Sequence, residues 1–172
     1  MSDGLDGAGQ AFLPSDLPAA VVKLLRDAVE ARHHPNRAEA ILWSAQAMYP
    51  KCLPIYFALY KFYFHRGRLD AAEQATRLAL DAAAAAGGFN PDWHGVTPAT
   101  ADWDETLAPQ HFYLFSLKAL AFIRLRLGDR RECLAILQKL AEIDPGGSVG
   151  ATVIRDLAAA SVLGRNQAGK AA

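Results

Sequence analysis

Charge of one sign, cysteine and long apolar runs are all scarce in this 172-residue chain. Lys plus Arg and Asp plus Glu both number 18, so the formal net charge is zero. A chain without a basic excess has no general electrostatic attraction for nucleic acid or for an anionic membrane surface. We therefore expect neither nucleic acid nor a membrane as a partner.

The shortage of cysteine and of apolar runs excludes further classes of protein. The two cysteines, Cys52 and Cys133, are too far apart for the spacing of paired metal ligands. No stretch reaches the roughly 20 apolar residues that a membrane-spanning helix needs. Residues 1–10 are acidic and rich in glycine, which is unlike a secretory signal. We expect a cytoplasmic protein whose thiols are reduced.

Motifs that carry catalysis are also missing. The sequence has no phosphate-binding glycine loop, no serine nucleophile elbow and no paired histidine–glutamate metal motif. His33 and His34 are adjacent, so on a helix they point about 100° apart, which is poor geometry for two ligands of one metal. A cluster of acidic residues around His94 matches the spacing of no known metal site. We predict no enzymatic activity, no catalytic residue, no cofactor and no metal site.

Apolar residues, in contrast, make up 52% of the chain and recur at helical spacing. In the segment from Pro54 to Leu80 this spacing is interrupted at Gly67. Glycine enters the left-handed backbone conformation at little cost, so a helix can stop there and the chain can reverse. The segment therefore predicts a helical hairpin.

Small residues repeat along the chain with a period of 34. Ala72 and Ala79 share one helix face, and Ala38 and Ala45 occupy the equivalent positions one period earlier. This predicts a preceding hairpin with helices at about 17–32 and 37–48. A later hairpin surrounds Gly128, with helices at about 109–127 and 130–143, and an amphipathic stretch at 148–163 predicts a terminal helix that covers the last repeat.

This pattern resembles the tetratricopeptide repeat. The residues that match the family pattern are Val22, Leu25, Ala38, Ala45 and Pro50 in the first hairpin, Tyr56, Leu59, Tyr63, Gly67, Ala72 and Ala79 in the second, and Leu117, Leu120, Gly128, Cys133, Leu137 and Pro145 in the third. His33 replaces the glycine of the first hairpin, and Tyr60 and Ala121 also depart from the family pattern.

The resemblance implies an all-α fold, a solenoid of about three tandem antiparallel helical hairpins with a C-terminal capping helix. We expect this repeat domain at 15–163, between a disordered segment at 1–14 and a flexible tail at 164–172. A helical bundle without repeats is the alternative. The strings LPIYFALYKFYFHRGRLDAA and FYLFSLKALAFIRLRLGD also resemble small bacterial repeat proteins associated with nitrogen fixation.

One long insertion interrupts the repeats at about 87–110. It is rich in Gly, Pro, Asp and Thr, which favour turns, and it carries Phe89, Trp93 and Trp103. A long loop with tryptophans either folds back onto the body or binds a partner. We favour folding back because isolated exposed indoles are costly.

The resemblance to tetratricopeptide proteins implies a concave groove lined by the first helix of each hairpin. The helix at 55–64 supports this, since it is apolar almost all round and must be covered on several sides. The N-terminal segment, the insertion or a partner could cover Phe57 and Phe64. By the resemblance, the groove positions are Lys23, Asp27 and Glu30 in the first hairpin, Phe57, Lys61, Phe64 and His65 in the second, and Lys118, Phe122, Leu125 and Arg126 in the third.

These features predict an adaptor, small chaperone or assembly factor that holds a partner protein or peptide. An aromatic, weakly basic groove suits a peptide with large apolar side chains and some acidic character. Ala58 and Ala119 stand where a carboxylate clamp needs asparagine, so we do not expect a C-terminal carboxylate as ligand. Two alternatives are packing of the groove against the insertion, and a homodimer formed through the groove or the C-terminal helix. The predicted partner-binding residues are Phe57, Lys61, Phe64, His65, Lys118, Phe122, Arg126, Trp93 and Trp103.

Overall fold

The computed structural model describes residues 17–106 and 108–168, with side chains described up to residue 160. Within these residues the chain forms seven α-helices and no strand, which confirms the predicted all-α fold. The predicted disordered segment at 1–14 lies outside the described residues. The helices are α1 Ala19–Glu30, α2 Pro35–Met48, α3 Leu53–His65, α4 Leu69–Gly87, α5 Pro109–Arg126, α6 Arg130–Ile143 and α7 Thr152–Ala168, and a single 3-10 turn, Ala31–His33, follows α1.

The helices begin where the sequence carries start signals. Pro35, Pro54 and Pro109 each lie in the first turn of a helix, where the missing N–H costs no hydrogen bond. The Asp129 carboxylate accepts a hydrogen bond from the backbone N–H of Glu132 at 3.0 Å and so caps α6. Local signals of this kind explain why most predicted helix ends lie within a few residues of the observed ones.

Gly67 and Gly128 reverse the chain between the two helices of the second and third hairpins. Their φ angles are 69° and 89°, in the left-handed region that glycine adopts readily. No atom lies within 4 Å of a Cβ built on Gly67, so a side chain there would meet open space. The requirement for glycine at this position is therefore conformational rather than steric.

We expect Gly67→Ala to lower the free energy of unfolding by about 1–2 kcal/mol, because alanine must adopt the left-handed conformation. Urea denaturation followed by circular dichroism measures the change. Gly146→Ala is the matched control, since that position has open space and no positive φ. Equal losses in both variants would contradict the conformational explanation.

The hairpins stack in chain order, and each helix packs chiefly against its sequence neighbours. The four alanines of the 34-residue period, Ala38, Ala45, Ala72 and Ala79, are all buried. Side chains of this size let the helix axes approach closely. The first two hairpins share one hydrophobic cluster, and α4 to α7 share a second, with Tyr56 of α3 included in the latter.

The insertion forms the connection between α4 and α5 and is folded back onto the body. Trp93 is 7% exposed and Trp103 6% exposed, and both join the second hydrophobic cluster. The Trp103 indole N–H donates to the Thr97 carbonyl at 3.1 Å, and the Tyr113 hydroxyl of α5 donates to the Pro91 carbonyl at 2.8 Å. The Lys139 ammonium of α6 donates to the Val96 carbonyl at 2.9 Å. The insertion is thus part of the second hydrophobic cluster, together with α4 to α7.

The terminal helix α7 covers part of the last hairpin through Ile154 and Ala158, which are buried. It begins at Thr152 instead of the predicted Ser148 because Gly147 and Gly150 take positive φ angles of 67° and 66°. Its backbone continues to Ala168, into the predicted tail at 164–172. No proline interrupts that stretch, and one glycine costs a helix only about 1 kcal/mol.

An ion-pair network joins the second and third hairpins around Arg124 of α5. Its guanidinium lies 2.9 Å from the Glu73 carboxylate of α4, 2.6 Å from Asp129 and 2.6 Å from Glu132. Burial alone would raise the pKa of Glu73, but hydrogen bonds from Arg77 and Arg124 outweigh it and lower the pKa. The backbone N–H of Glu132 and the Arg124 side chain lower the pKa of Asp129.

Because these carboxyl pKa values are lowered by folding, the stability they contribute is present above the unfolded pKa of about 4 and is lost at lower pH. We expect the free energy of unfolding to fall as the pH is lowered from 7 to about 3. Glu73→Gln removes one of the titrating groups and should make this fall smaller. Urea titrations at several pH values measure it, and an identical pH dependence in the variant would contradict the role given to Glu73.

Candidate functional site

A cavity of about 320 Å³ opens between α1 and α3. Leu42 of α2, which is buried, contributes to its lining from beneath the two helices. The cavity lies on the first hydrophobic cluster, to which Ala28 and Phe62 also belong. Its lining residues are Leu25, Ala28, Val29, Arg32, Leu42, Pro54, Phe57, Ala58, Lys61, Phe62, His65 and Arg66.

On the α3 side the cavity is aromatic and carries a cation, as the groove prediction required. The Lys61 ammonium lies 5.2 Å from the centre of the Phe57 ring, which is a cation–π distance. The Tyr60 ring meets Phe57 edge to face at 5.2 Å, and burial raises the pKa of Tyr60 to about 12. Phe57 is thereby held by its neighbours on the same helix while it lines the cavity.

On the α1 side the structure differs from the prediction. The lining residues are Leu25, Ala28, Val29 and Arg32, and not Lys23, Asp27 and Glu30. Lys23 and Asp27 instead form an ion pair of 2.7 Å with each other, one turn apart along the helix. The face of α1 that is turned towards α3 is therefore not the one that the tetratricopeptide resemblance implied.

The charged side chains around the cavity are basic. Arg32 and Lys61 line it together with Arg66, and among the described lining residues none is acidic. The Arg66 guanidinium donates to the carbonyls of Phe62 and Arg32, at 3.2 and 2.9 Å, and lies 3.9 Å from the centre of the Phe62 ring. Arg66 thus ties the ends of α1 and α3 together, while Arg32 and Lys61 give the opening a positive charge.

A second part of the same surface connects α3 with α5. The Phe64 and Phe122 rings are 5.2 Å apart, and the Arg126 guanidinium lies 5.6 Å from the centre of the Phe64 ring. His65 follows Phe64 with its ring 6.2 Å away, edge to face, and also lines the cavity. These six predicted residues therefore occupy one continuous region, which we call the groove: Phe57, Lys61, Phe64, His65, Phe122 and Arg126.

Two predicted partner-binding residues, Trp93 and Trp103, are corrected, and a third, Lys118, is half-buried on α5. Trp93 and Trp103 are buried in the insertion, so they belong to the core and present no surface for a partner. Lys118 donates to the Val149 carbonyl at 2.6 Å, and burial lowers its pKa. This bond ties Lys118 to the connection between α6 and α7.

Sequence reasoning missed the α1 half of the cavity and Arg66. Leu25 and Val29 could have indicated this half, because they are apolar and lie one turn apart on a helix that was already predicted to belong to the stack. Arg66 gave no such signal, since its bond to the Arg32 carbonyl joins two distant parts of the chain.

The described residues also bear on metal sites and membrane spans. Across 17–106 and 108–168, no three His, Cys, Asp or Glu side chains converge in a way that could hold a metal ion. Of the helices described above, none combines the length and the apolar character needed to cross a membrane.

Comparison with known proteins shows what the chain is similar to. The chain is 29% identical over 124 residues to a curated protein of Azotobacter chroococcum mcd 1, described as an uncharacterized 19.8 kDa protein in the nifW 5′ region. The match covers 71% of this chain and 70% of that protein. No family model matches the chain, and no solved structure matches it. The tetratricopeptide resemblance therefore stays a prediction.

Proposed function

We propose that this protein is an adaptor or assembly factor that holds a segment of a partner protein in the groove. The observation that carries the proposal is the cavity between α1 and α3, which is lined by apolar and aromatic side chains and whose charged lining residues are basic. Binding of this kind requires no catalytic group, and we propose no enzymatic activity, cofactor or metal for the protein.

The groove defines the chemistry of the ligand. A large apolar side chain would enter the cavity beside Phe57, where burial of apolar area gives most of the binding free energy. An acidic residue next to it would lie near Lys61 and Arg32. The Phe64–Phe122 pair continues the apolar surface along the groove, so a second apolar residue of the ligand would pack there. An amphipathic helix or an extended segment meets these requirements.

The relative in the nifW 5′ region gives this proposal a cellular setting. Together with the resemblance of two helical segments to small repeat proteins of bacterial nitrogen fixation, it supports a role in that process. We propose that the protein works in the bacterial cytoplasm as an accessory factor in the assembly of a multi-subunit enzyme. The tetratricopeptide-like stacking of its hairpins would give it the extended surface that such a factor uses.

Selection from a library of random peptides tests the proposed ligand chemistry. We expect the native chain to retain peptides that combine an aromatic or large aliphatic residue with neighbouring Asp or Glu. A Phe57→Ala, Lys61→Glu variant should not retain them, whereas Met48→Ala, Lys51→Glu, which makes similar changes outside the cavity, should. Selected peptides of basic or purely polar composition, or equal retention by both variants, would contradict the proposal.

Self-association is the second candidate function, and the outer face of α7 favours it. Val153 is 63% exposed and Leu157 46% exposed, one turn apart on the terminal helix. Two copies could bury these side chains against each other. If they do, sedimentation equilibrium should show a dimer for the native chain and a monomer for Leu157→Arg. A native chain that stays monomeric at high concentration would exclude this candidate.

A further inference from the structure

The segment that precedes α1 has the composition expected of a ligand for the groove. Residues 1–16 read MSDGLDGAGQAFLPSD and contain three aspartates and no Lys or Arg. Since the whole chain is formally neutral, the remaining residues carry a formal excess of three positive charges. The same segment contains two adjacent large apolar residues, Phe12 and Leu13. Acidic charge beside an apolar pair is the combination that the cavity, with Phe57, Lys61 and Arg32, should bind.

The point at which this segment joins the fold lies next to the groove. Leu17 packs against the first hydrophobic cluster, and α1, which begins at Ala19, forms one wall of the cavity. From Ala19 to Ala28 the helix rises about 14 Å. The residues between Phe12 and Pro18 span about 20 Å when extended. Phe12 is therefore within reach of the cavity without any change in the described fold.

The insertion does not compete for this position. Its indoles and Val96 are packed into the second hydrophobic cluster, and of the cavity-lining residues in the described part of the chain none comes from the insertion. Of the three covers that the sequence left open for Phe57 and Phe64, the insertion is thus engaged elsewhere. The N-terminal segment and a partner remain, and of these the N-terminal segment is covalently attached beside the groove.

We propose that residues 1–16 act as an intramolecular ligand of the groove, with Phe12 and Leu13 in the cavity between α1 and α3. This inference rests on the proposed function, because it assigns to the groove the same acidic and apolar ligand chemistry. A partner must then displace the segment to bind. A short tether gives the segment an effective concentration of about 1 mM. A segment that binds in trans with a Kd of about 0.1 mM would weaken competing ligands about tenfold.

A labelled copy of the segment tests this in the full-length chain. The probe is a fluorescein-labelled peptide with the sequence of residues 6–16, and fluorescence anisotropy gives its Kd. We expect a Phe12→Ser, Leu13→Ser chain to bind the peptide about tenfold more tightly than the native chain, because its own segment no longer competes. Leu5→Ser is the matched control and should behave as the native chain does. Adding Lys61→Glu to the double variant should abolish peptide binding, with circular dichroism verifying that the chain stays helical.

Two results would overturn the inference. Equal affinity of the native chain and the Phe12→Ser, Leu13→Ser chain would show that the tethered segment does not occupy the groove. Absence of peptide binding to the double variant would show that the groove does not accept this sequence. The library-selected peptides separate these failures from failure of the proposed function. If they bind both chains alike, only the inference fails, and if they bind neither chain, the proposed function fails as well.

Discussion

Replacing Trp103 by alanine should lower the free energy of unfolding by about 3–5 kcal/mol, the cost of removing a large aromatic side chain from a packed core. The Trp103 ring lies 5.6 Å from Phe89 and 6.1 Å from Tyr113, and its N–H donates to the Thr97 carbonyl. The substitution therefore removes an aromatic contact with Tyr113 of α5, together with an aromatic contact and a hydrogen bond within the insertion itself. For a chain of this length the melting temperature should fall by about 10 °C.

The matched control is Trp103→Phe, which keeps an aromatic ring and most of the apolar volume but loses the indole N–H. We expect it to retain more than half of the stability that the alanine variant loses. Thermal unfolding followed by circular dichroism measures both. A loss below about 1 kcal/mol for Trp103→Ala would mean that the insertion is a peripheral loop and not a part of the core.

The largest expected effect on binding comes from the combined substitution Phe57→Ala, Lys61→Glu, Phe64→Ala. It removes the two phenylalanine rings of α3 in the groove and reverses the charge of the cation beside Phe57. Central aromatic residues of an interface contribute about 2 kcal/mol or more each. We expect the affinity for a partner captured from the source cells to fall at least about a hundredfold, which corresponds to about 3 kcal/mol.

The control for this experiment is Met48→Ala, Lys51→Glu, which changes exposed residues near the turn between α2 and α3. It should bind the captured partner as the native chain does. Circular dichroism must show that the triple variant remains helical, because Phe64 also packs against Phe122. A folded triple variant with unchanged affinity would place the binding surface outside the groove.

Hairpins were predictable from the sequence because their signals are local. Gly67 and Gly128 allow the left-handed turns, prolines start three helices, and buried alanines recur at a fixed period. Each of these features acts through the backbone or through immediate neighbours. These features therefore predict the hairpins without knowledge of the rest of the fold.

Positions that depend on distant contacts were harder to predict. The cost of exposed indoles favoured folding back of the insertion, but the sequence did not indicate which elements Trp93 and Trp103 would pack against. Lys118 donates to the Val149 carbonyl in the connection between α6 and α7, a long-range contact that the helical spacing of α5 did not indicate. The 34-residue offset placed α1 in the stack without defining its rotation. The first hairpin turns through the 3-10 turn Ala31–His33 and has no counterpart of the left-handed glycines Gly67 and Gly128. The sequence therefore carried no local signal for the orientation of α1.

Site-specific photocrosslinking in the source cells tests the central claim, that the groove holds a partner protein. Val29 is suited to the crosslinking amino acid because it lines the cavity and is 63% exposed. Met48 is 57% exposed and lies outside the cavity, which makes it the control position. We predict a defined adduct with one or two proteins from position 29, lost on Lys61→Glu, and no such adduct from position 48. Absence of an adduct at position 29, or the same adducts from both positions, would contradict the assignment of the groove as the binding site.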